Sequence, residues 1–351
     1  MTRRKQLKLT ALTSLLLPFL SARAQPSLYP PNFNASDELF AYLPATNITI
    51  CYQTIGNPAD PALILVGGAA SSMMLFSPQW IHLLSPPSDP HYIIRFDARD
   101  TGRSTSFPLV TNATSPPPYL LGDLIADLVG LMDHLAVPVH LAGFSSGGPI
   151  AFAAAAQRPH LAKSLFLGLT SPVGLEGYDG LPPARPLNGD IAAQLGPPPV
   201  LSDPEERWVD YLLRSQFLLY SQPPDEVEAQ QQRVINQEIY RRGIANGTLV
   251  SSTNHIYALL HSGRWPREAL RDIACPALVM SATLDQTFDP VHGRTLAADL
   301  ARGEFTLYED SAHELPQRIW GRLSRDMLRV MAEGESWWTG MGYARLGRTE
   351  Q

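Results

Sequence analysis

Cysteine is scarce in this chain: Cys51 and Cys275 are the only two among 351 residues. Each lies in or beside an apolar run that reads as a strand, and two separated strands seldom bring their Cα atoms within bridging distance, so both are expected to be buried free thiols. Charge is also sparse, at 17% of residues with a formal net charge of -6. Lys and Arg form no run outside the extreme N-terminus, so the electrostatic footprint of a nucleic-acid partner is missing. No H-E-x-x-H occurs and the nine His residues are scattered, so neither a metal nor an organic cofactor is expected. The one long apolar stretch, residues 9–20, contains Pro18 and falls short of the roughly 20 apolar residues that span a bilayer.

That stretch follows the basic Thr2-Arg3-Arg4-Lys5 and precedes Ala22-Arg23-Ala24. The three-part arrangement predicts a signal peptide over residues 1–24, leaving no stable membrane span after its removal. Asn34, Asn47, Asn112 and Asn246 each open an N-x-S/T sequon without an intervening Pro, which predicts a glycosylated product, secreted or in the secretory-pathway lumen.

Hydrophobic residues make up 44% of the chain, enough for one sizeable core with an insertion. Proline, at 32 residues, predicts many punctuated loops. Short β-rich runs at 48–55, 62–67, 92–96, 139–144 and 164–169 alternate with helix-like stretches. Those at 63–66 and 139–142 are nearly continuous apolar, as strands buried on both faces should be. The alternation predicts an α/β fold with a mainly parallel sheet flanked by helices. From 172 to 263 it gives way to Pro/Gly-rich loops and two helix-like stretches, 203–220 and 224–242. It resumes with a strand at 276–280, a helix at 290–300, a strand at 304–308 and a helix at 315–331. The predicted organisation is thus a core at 25–171 and 264–338, a helical cap at 172–263, and a frayed tail at 339–351.

The strand at 139–144 runs directly into Gly143-Phe144-Ser145-Ser146-Gly147, a G-x-S-x-G followed by a small-residue helix. A strand-to-helix turn this sharp holds its central residue in a strained conformation and requires small neighbours, which Gly143 and Gly147 supply. Ser145 is therefore the candidate nucleophile; centring the motif on Ser146 would put Phe144 where a small residue is needed. A serine hydroxyl needs a base, usually His oriented by a carboxylate, and the order after such an elbow is Ser, acid, His. Asp285 and His313 both follow the C-termini of predicted strands, the edge where ligands bind in parallel sheets. Asp289, next to Pro290, reads as a helix cap and is the alternative acid. Asp310 lies too near His313 in sequence to serve, and His292 is read as structural.

Acyl transfer also needs two donors aimed at the developing oxyanion. The backbone N–H of Ser146 is one candidate. Ala69, in the Gly67-Gly68-Ala69-Ala70 loop after the strand at 63–66, is the other.

Across residues 47–331 these motifs resemble the α/β-hydrolase superfamily. More narrowly, Ile50-Cys51-Tyr52-Gln53-Thr54 with Phe96-Asp97-Ala98-Arg99-Asp100-Thr101-Gly102-Arg103-Ser104-Thr105 looks like the aclacinomycin-methylesterase-like group, since many superfamily members have Gly where this R-D-x-G-x-S has Asp100. The resemblance implies a helical cap over a Ser-His-Asp site, with the acid and base falling on Asp285 and His313. It also implies a small-molecule ester substrate, often polyketide-derived. Gly67-Gly68 stands where the superfamily usually has His-Gly, so the oxyanion loop is expected to lack its usual side-chain support. A non-hydrolytic cyclase or lyase of secondary metabolism on the same scaffold is the second reading, because a fold does not fix its chemistry. A catalytically dead binding module is the third, and the complete Ser, acid, His order argues against it. The cap carries Trp208, Tyr211, Leu212, Phe217 and Leu218 and no Arg or Lys cluster, which favours an apolar substrate over a phosphate or dicarboxylate.

Overall fold

The computed structural model describes residues 27–31, 33–111, 115–185 and 195–342. The expected signal peptide, Asn112 and residues 343–351 lie outside them. Eight strands form one sheet: β1 (Leu39–Leu43), β2 (Ile48–Ile55), β3 (Ala62–Val66), β4 (Tyr92–Phe96), β5 (Val139–Phe144), β6 (Ala162–Gly168), β7 (Ala277–Ala282) and β8 (Gly303–Tyr308). Their order is β1-β2-β4-β3-β5-β6-β7-β8, antiparallel through the β1-β2 and β2-β4 pairs and parallel from β4 onward.

The central strands are buried on both faces, and the period of two divides their side chains between two cores. From β3, Ile64 and Val66 join one apolar cluster while Leu63 and Leu65 join the other. From β7, Ala277 and Val279 go to the first and Leu278 and Met280 to the second. Helices α2 (Leu121–Leu135), α3 (Gly147–Gln157) and α8 (Pro290–Asp299) cover the first face; α1 (Pro78–Leu84) and α9 (Gln317–Gly340) cover the second. Each Leu, Ile or Val so buried contributes about 1.5–3 kcal/mol.

Two elements of the sheet domain differ from the sequence expectation. Strand β1 was not anticipated, because its residues Leu39, Phe40 and Tyr42 are exposed at the sheet edge and give no buried-strand pattern. It pairs with β2 through a hairpin closed by Asn47 at φ 53°. Helix α9 continues to Gly340, nine residues beyond 331, because Gly334 and Trp338 extend the buried stripe of Leu323, Met327 and Val330. A Cβ at position 334 would lie 2.7 Å from the Lys163 carbonyl, so glycine lets this helix approach β6.

Between β6 and β7 the described residues hold four α-helices and no strand: α4 (Glu205–Phe217), α5 (Glu226–Asn246), α6 (Thr248–Ser251) and α7 (Asn254–His261). The last two are short and were not anticipated. The second half of this insertion is tied to the 97–106 loop. Arg242 is buried against Asp97 and Glu38. Asn246 Nδ2 donates to the Ser104 carbonyl at 2.7 Å, and Thr248 Oγ1 to that of Gly102 at 2.6 Å. Asn34, Asn47 and Asn246 are all exposed, and the sequon at Asn246 also has its amide engaged and its Thr248 buried.

Candidate active site

Strand β5 delivers Ser145 with φ 54°, left-handed backbone that a non-glycine residue adopts only under constraint. The constraint is visible on both sides. The Ser145 N–H donates to the Gly168 carbonyl at 2.9 Å, and its own carbonyl accepts from Thr170 Oγ1 at 2.6 Å and the Gly148 N–H at 3.0 Å. A Cβ at Gly143 would lie 2.3 Å from the Gly147 carbonyl oxygen, and one at Gly147 would lie 2.4 Å from that of Val66. Only glycine lets the strand, the turn and β3 come this close.

The loops after β7 and β8 bring the other two candidates to this turn. Ser145 Oγ lies 3.0 Å from His313 Nε2. His313 Nδ1 lies 3.1 Å from both Asp285 oxygens. A carboxylate only accepts, so the ring proton sits on Nδ1 and the Nε2 lone pair faces the serine hydroxyl. Asp285 is buried, and its Oδ1 also accepts from the Thr287 N–H at 2.7 Å and the Phe288 N–H at 3.0 Å. Thr283 joins the two loops through its hydroxyl, whose single proton is shared between the Tyr308 and Glu309 carbonyls at 3.0 and 2.7 Å.

The rival candidates lie elsewhere. Asp289 caps α8 through the Val291 N–H at 3.0 Å. Buried His292 pairs with Ser171 Oγ at 2.9 Å. Cys51 and Cys275 are free and buried, and burial pushes both thiols up to about 12, helped at Cys51 by the Asp97 charge. Neither is a thiolate nucleophile.

Among the described residues, neither the Ser146 N–H nor the Ala69 N–H has an internal acceptor. The 67–70 loop passes directly over the serine: a Cβ at Gly68 would lie 3.0 Å from Ser145 Cβ. With Gly67-Gly68 in place of the usual His-Gly, this loop has beside it a histidine from the insertion. His255 of α7 accepts the Ala70 N–H on Nδ1 at 3.0 Å. Sequence reasoning missed it because the support is supplied 185 positions downstream.

Two further residues gave no sequence signal beyond their neighbours. Gln286 accepts the His313 N–H at 3.3 Å and donates to the Leu218 carbonyl, at the end of α4, at 3.4 Å. Glu314 accepts from the Ser221 N–H and hydroxyl at 3.0 and 2.7 Å and pairs with Arg318. The end of α4 is thereby fastened on either side of His313. In the 97–106 loop, buried Asp97 accepts from Ser72 Oγ and the Met73 N–H, both at 2.9 Å, and Asp100 accepts from Asn254 Nδ2 at 2.9 Å. The Asp that marks R-D-x-G-x-S is thus where the insertion docks.

The chain is similar to two curated methylesterases. Rhodomycin D methylesterase DauP of Streptomyces sp. (strain C5) is 24% identical over 78% of this chain and 91% of the relative, and DnrP of Streptomyces peucetius matches to the same extent. This is the methylesterase-like group to which the R-D-x-G-x-S loop pointed. The enol-lactonase from Burkholderia xenovorans LB400 superimposes with a TM-score of 0.59 at 19% identity, covering 84% of this chain and 100% of that one. Esterase RhEst1 from Rhodococcus sp. ECU1013 gives 0.61 at 18%, covering 85% and 98%. At these identities the two structures establish a common fold. The family model described as the alpha/beta hydrolase family matches residues 63–321, from β3 into α9, and the chain belongs to that family.

Proposed function

We propose that this protein is a serine hydrolase that cleaves a carboxylic ester of a small, largely apolar molecule, with methyl esters of polyketide-type metabolites as the leading substrate class. The observation that carries the reading is the 3.0 Å approach of Ser145 Oγ to a His313 Nε2 whose other nitrogen faces Asp285. His313 takes the hydroxyl proton as Ser145 attacks the ester carbonyl. The Ser146 and Ala69 N–H groups receive the developing oxyanion. Collapse expels the alcohol, which takes its proton from His313, and leaves an acyl-enzyme on Ser145. Water activated by His313 then releases the acid. Asp285 keeps the ring oriented and stabilises the imidazolium while it exists.

The apolar preference is supported by the insertion, which we read as a cap over the site. Trp208 is buried, but Tyr211, Leu212, Phe217 and Leu218 are only partly so. Leu218 is one hydrogen-bonded residue, Gln286, away from His313, and the Phe288 ring lies 6.0 Å from the His313 ring. The two relatives are named for cleaving a methyl ester. The test is a comparison of kcat/KM across p-nitrophenyl esters and methyl esters of aromatic polyketides. Apolar and methyl esters should lead the series. Preference for a charged acyl group would overturn the apolar assignment. Protein that reacts with a fluorophosphonate at Ser145 yet hydrolyses no ester would favour the cyclase or lyase reading.

A further inference from the structure

His255 sits between two backbone groups whose roles are fixed. The Ala70 N–H can only donate, and it lies 3.0 Å from Nδ1. The Arg99 carbonyl can only accept, and it lies 2.7 Å from Nε2. The ring must therefore carry its lone pair on Nδ1 and its proton on Nε2. The side chain is buried, and burial holds its pKa below the ordinary histidine range. The groups around it are the Asp100 carboxylate, the Arg99 guanidinium, which is turned into Asp127, and the Tyr119 ring, edge-on at 5.8 Å. A second ring proton would point at the Ala70 N–H, so geometry and burial both favour the neutral ring.

Ala70 has a φ of 57°, which costs a non-glycine residue about 1–2 kcal/mol and persists only where neighbours over-determine it. The residue before it, Ala69, carries the N–H assigned to the oxyanion. We propose that His255, from the helical insertion, is a positioning residue for ester hydrolysis: its Nδ1 fixes the Ala70 N–H, and through that turn aims the Ala69 N–H over Ser145. This rests on the reading of the site as a serine esterase. The same helix carries Asn254 to Asp100, so α7 holds the oxyanion loop and the R-D-x-G-x-S loop together. Displacing α7 would then loosen the oxyanion donor while leaving the contacts that the end of α4 makes beside His313 in place.

Two substitutions separate the two bonds. In His255→Asn the side-chain oxygen can replace Nδ1 as acceptor for Ala70, while the donor to Arg99 is lost. In His255→Gln the amide nitrogen can replace Nε2 as donor to Arg99, while the acceptor for Ala70 is lost. His255→Asn should keep kcat within about threefold of wild type. His255→Gln should lose roughly 10- to 100-fold in kcat with little change in KM, less than the 10²–10³ that follows removal of an oxyanion donor outright. Equal losses in both variants, in proportion to their melting temperatures, would mean a merely structural histidine and overturn the proposal. Nitrogen NMR of the histidine rings in the wild-type protein gives a readout independent of turnover. The His255 ring should show a bare Nδ1 and a protonated Nε2 throughout about pH 5–8, where an ordinary histidine titrates. A ring that titrates near 6.5 overturns the assignment. If wild-type protein hydrolyses no ester, the functional reading fails and the positioning role with it. If activity depends on Ser145 but survives His255→Gln, only the role of His255 fails.

Discussion

Ser145 Oγ and His313 Nε2 meet at 3.0 Å although the residues are 168 positions apart. Nothing local to either residue produces that contact: β5 ends at one and β8 leads to the other, with β6 and β7 between them in the sheet. A fluorophosphonate should therefore modify Ser145, mapped by mass spectrometry of the labelled peptide. Ser145→Ala should lower kcat by three or more orders of magnitude, leaving only what binding and the oxyanion donors supply. Ser146→Ala should retain activity, because that residue is needed for its backbone N–H. Labelling at another serine with Ser145→Ala still active would sink the nucleophile assignment.

The acid can be tested by an isosteric pair. Asp285→Asn removes the charge facing His313 Nδ1 and can turn the ring to the wrong tautomer, so kcat should fall by roughly 10⁴. Asp289→Asn keeps an N-cap oxygen for the Val291 N–H and should leave kcat within about twofold and stability nearly unchanged. Steady-state kinetics on both decides, and the reverse pattern would move the acid to Asp289.

On the opposite side of the fold, His140 of β5 and Lys163 of β6 both reach Glu335 of α9, at 2.9 and 2.7 Å. Burial alone would raise the Glu335 pKa, but these bonds outweigh it and bring it to about 2 from 4.5. Burial lowers the pKa of His140, so we assign the stabilisation to the Lys163 charge and a neutral Nε2–H donor. A depressed carboxylate pKa stabilises the fold fully above about pH 4.5, and that contribution disappears as pH falls through the window toward 2. Glu335→Gln should flatten the decline of Tm over this range by a few degrees at most, because 36% of the Glu335 side chain faces water and solvent screens the pair. An unchanged acid limb would show that the contact is not felt in solution.

We propose export with loss of residues 1–24, on the basic, apolar and small-residue order of the N-terminus. The secreted product should begin at Gln25 by N-terminal sequencing, and endoglycosidase should reduce its mass. Asn34 and Asn47, the latter at the tip of the β1-β2 hairpin, are exposed sites for a glycan. A retained Met1 on an unglycosylated protein would refute the proposal.

The parts of this protein that could be read from the chain are those in which neighbours in sequence are neighbours in space. Gly143, Ser145 and Gly147 lie within five residues, so the steric demand of the turn is written into the local sequence. The buried strands announce themselves the same way, because a strand covered on both faces needs an unbroken apolar run. Asp289 was legible as a cap since a cap bonds two or three residues ahead. Strand β1 was not, because its sheet-edge position exposes the residues that would otherwise have marked it.

Contacts across the insertion lay beyond such reading. His255, Gln286 and Glu314 are ordinary polar residues in sequence, and their meaning comes from groups that only the folded chain brings to them: a backbone N–H at Ala70, the His313 N–H, and Ser221. Their hydrogen bonds span 185, 27 and 93 positions. Local sequence specified the buried strands, the elbow and which residue types could do chemistry, since backbone sterics and apolar burial act over a few residues. Tertiary structure decided which side chains hold the reacting groups in place, because a hydrogen bond depends on distance and direction between two groups whatever length of chain separates them.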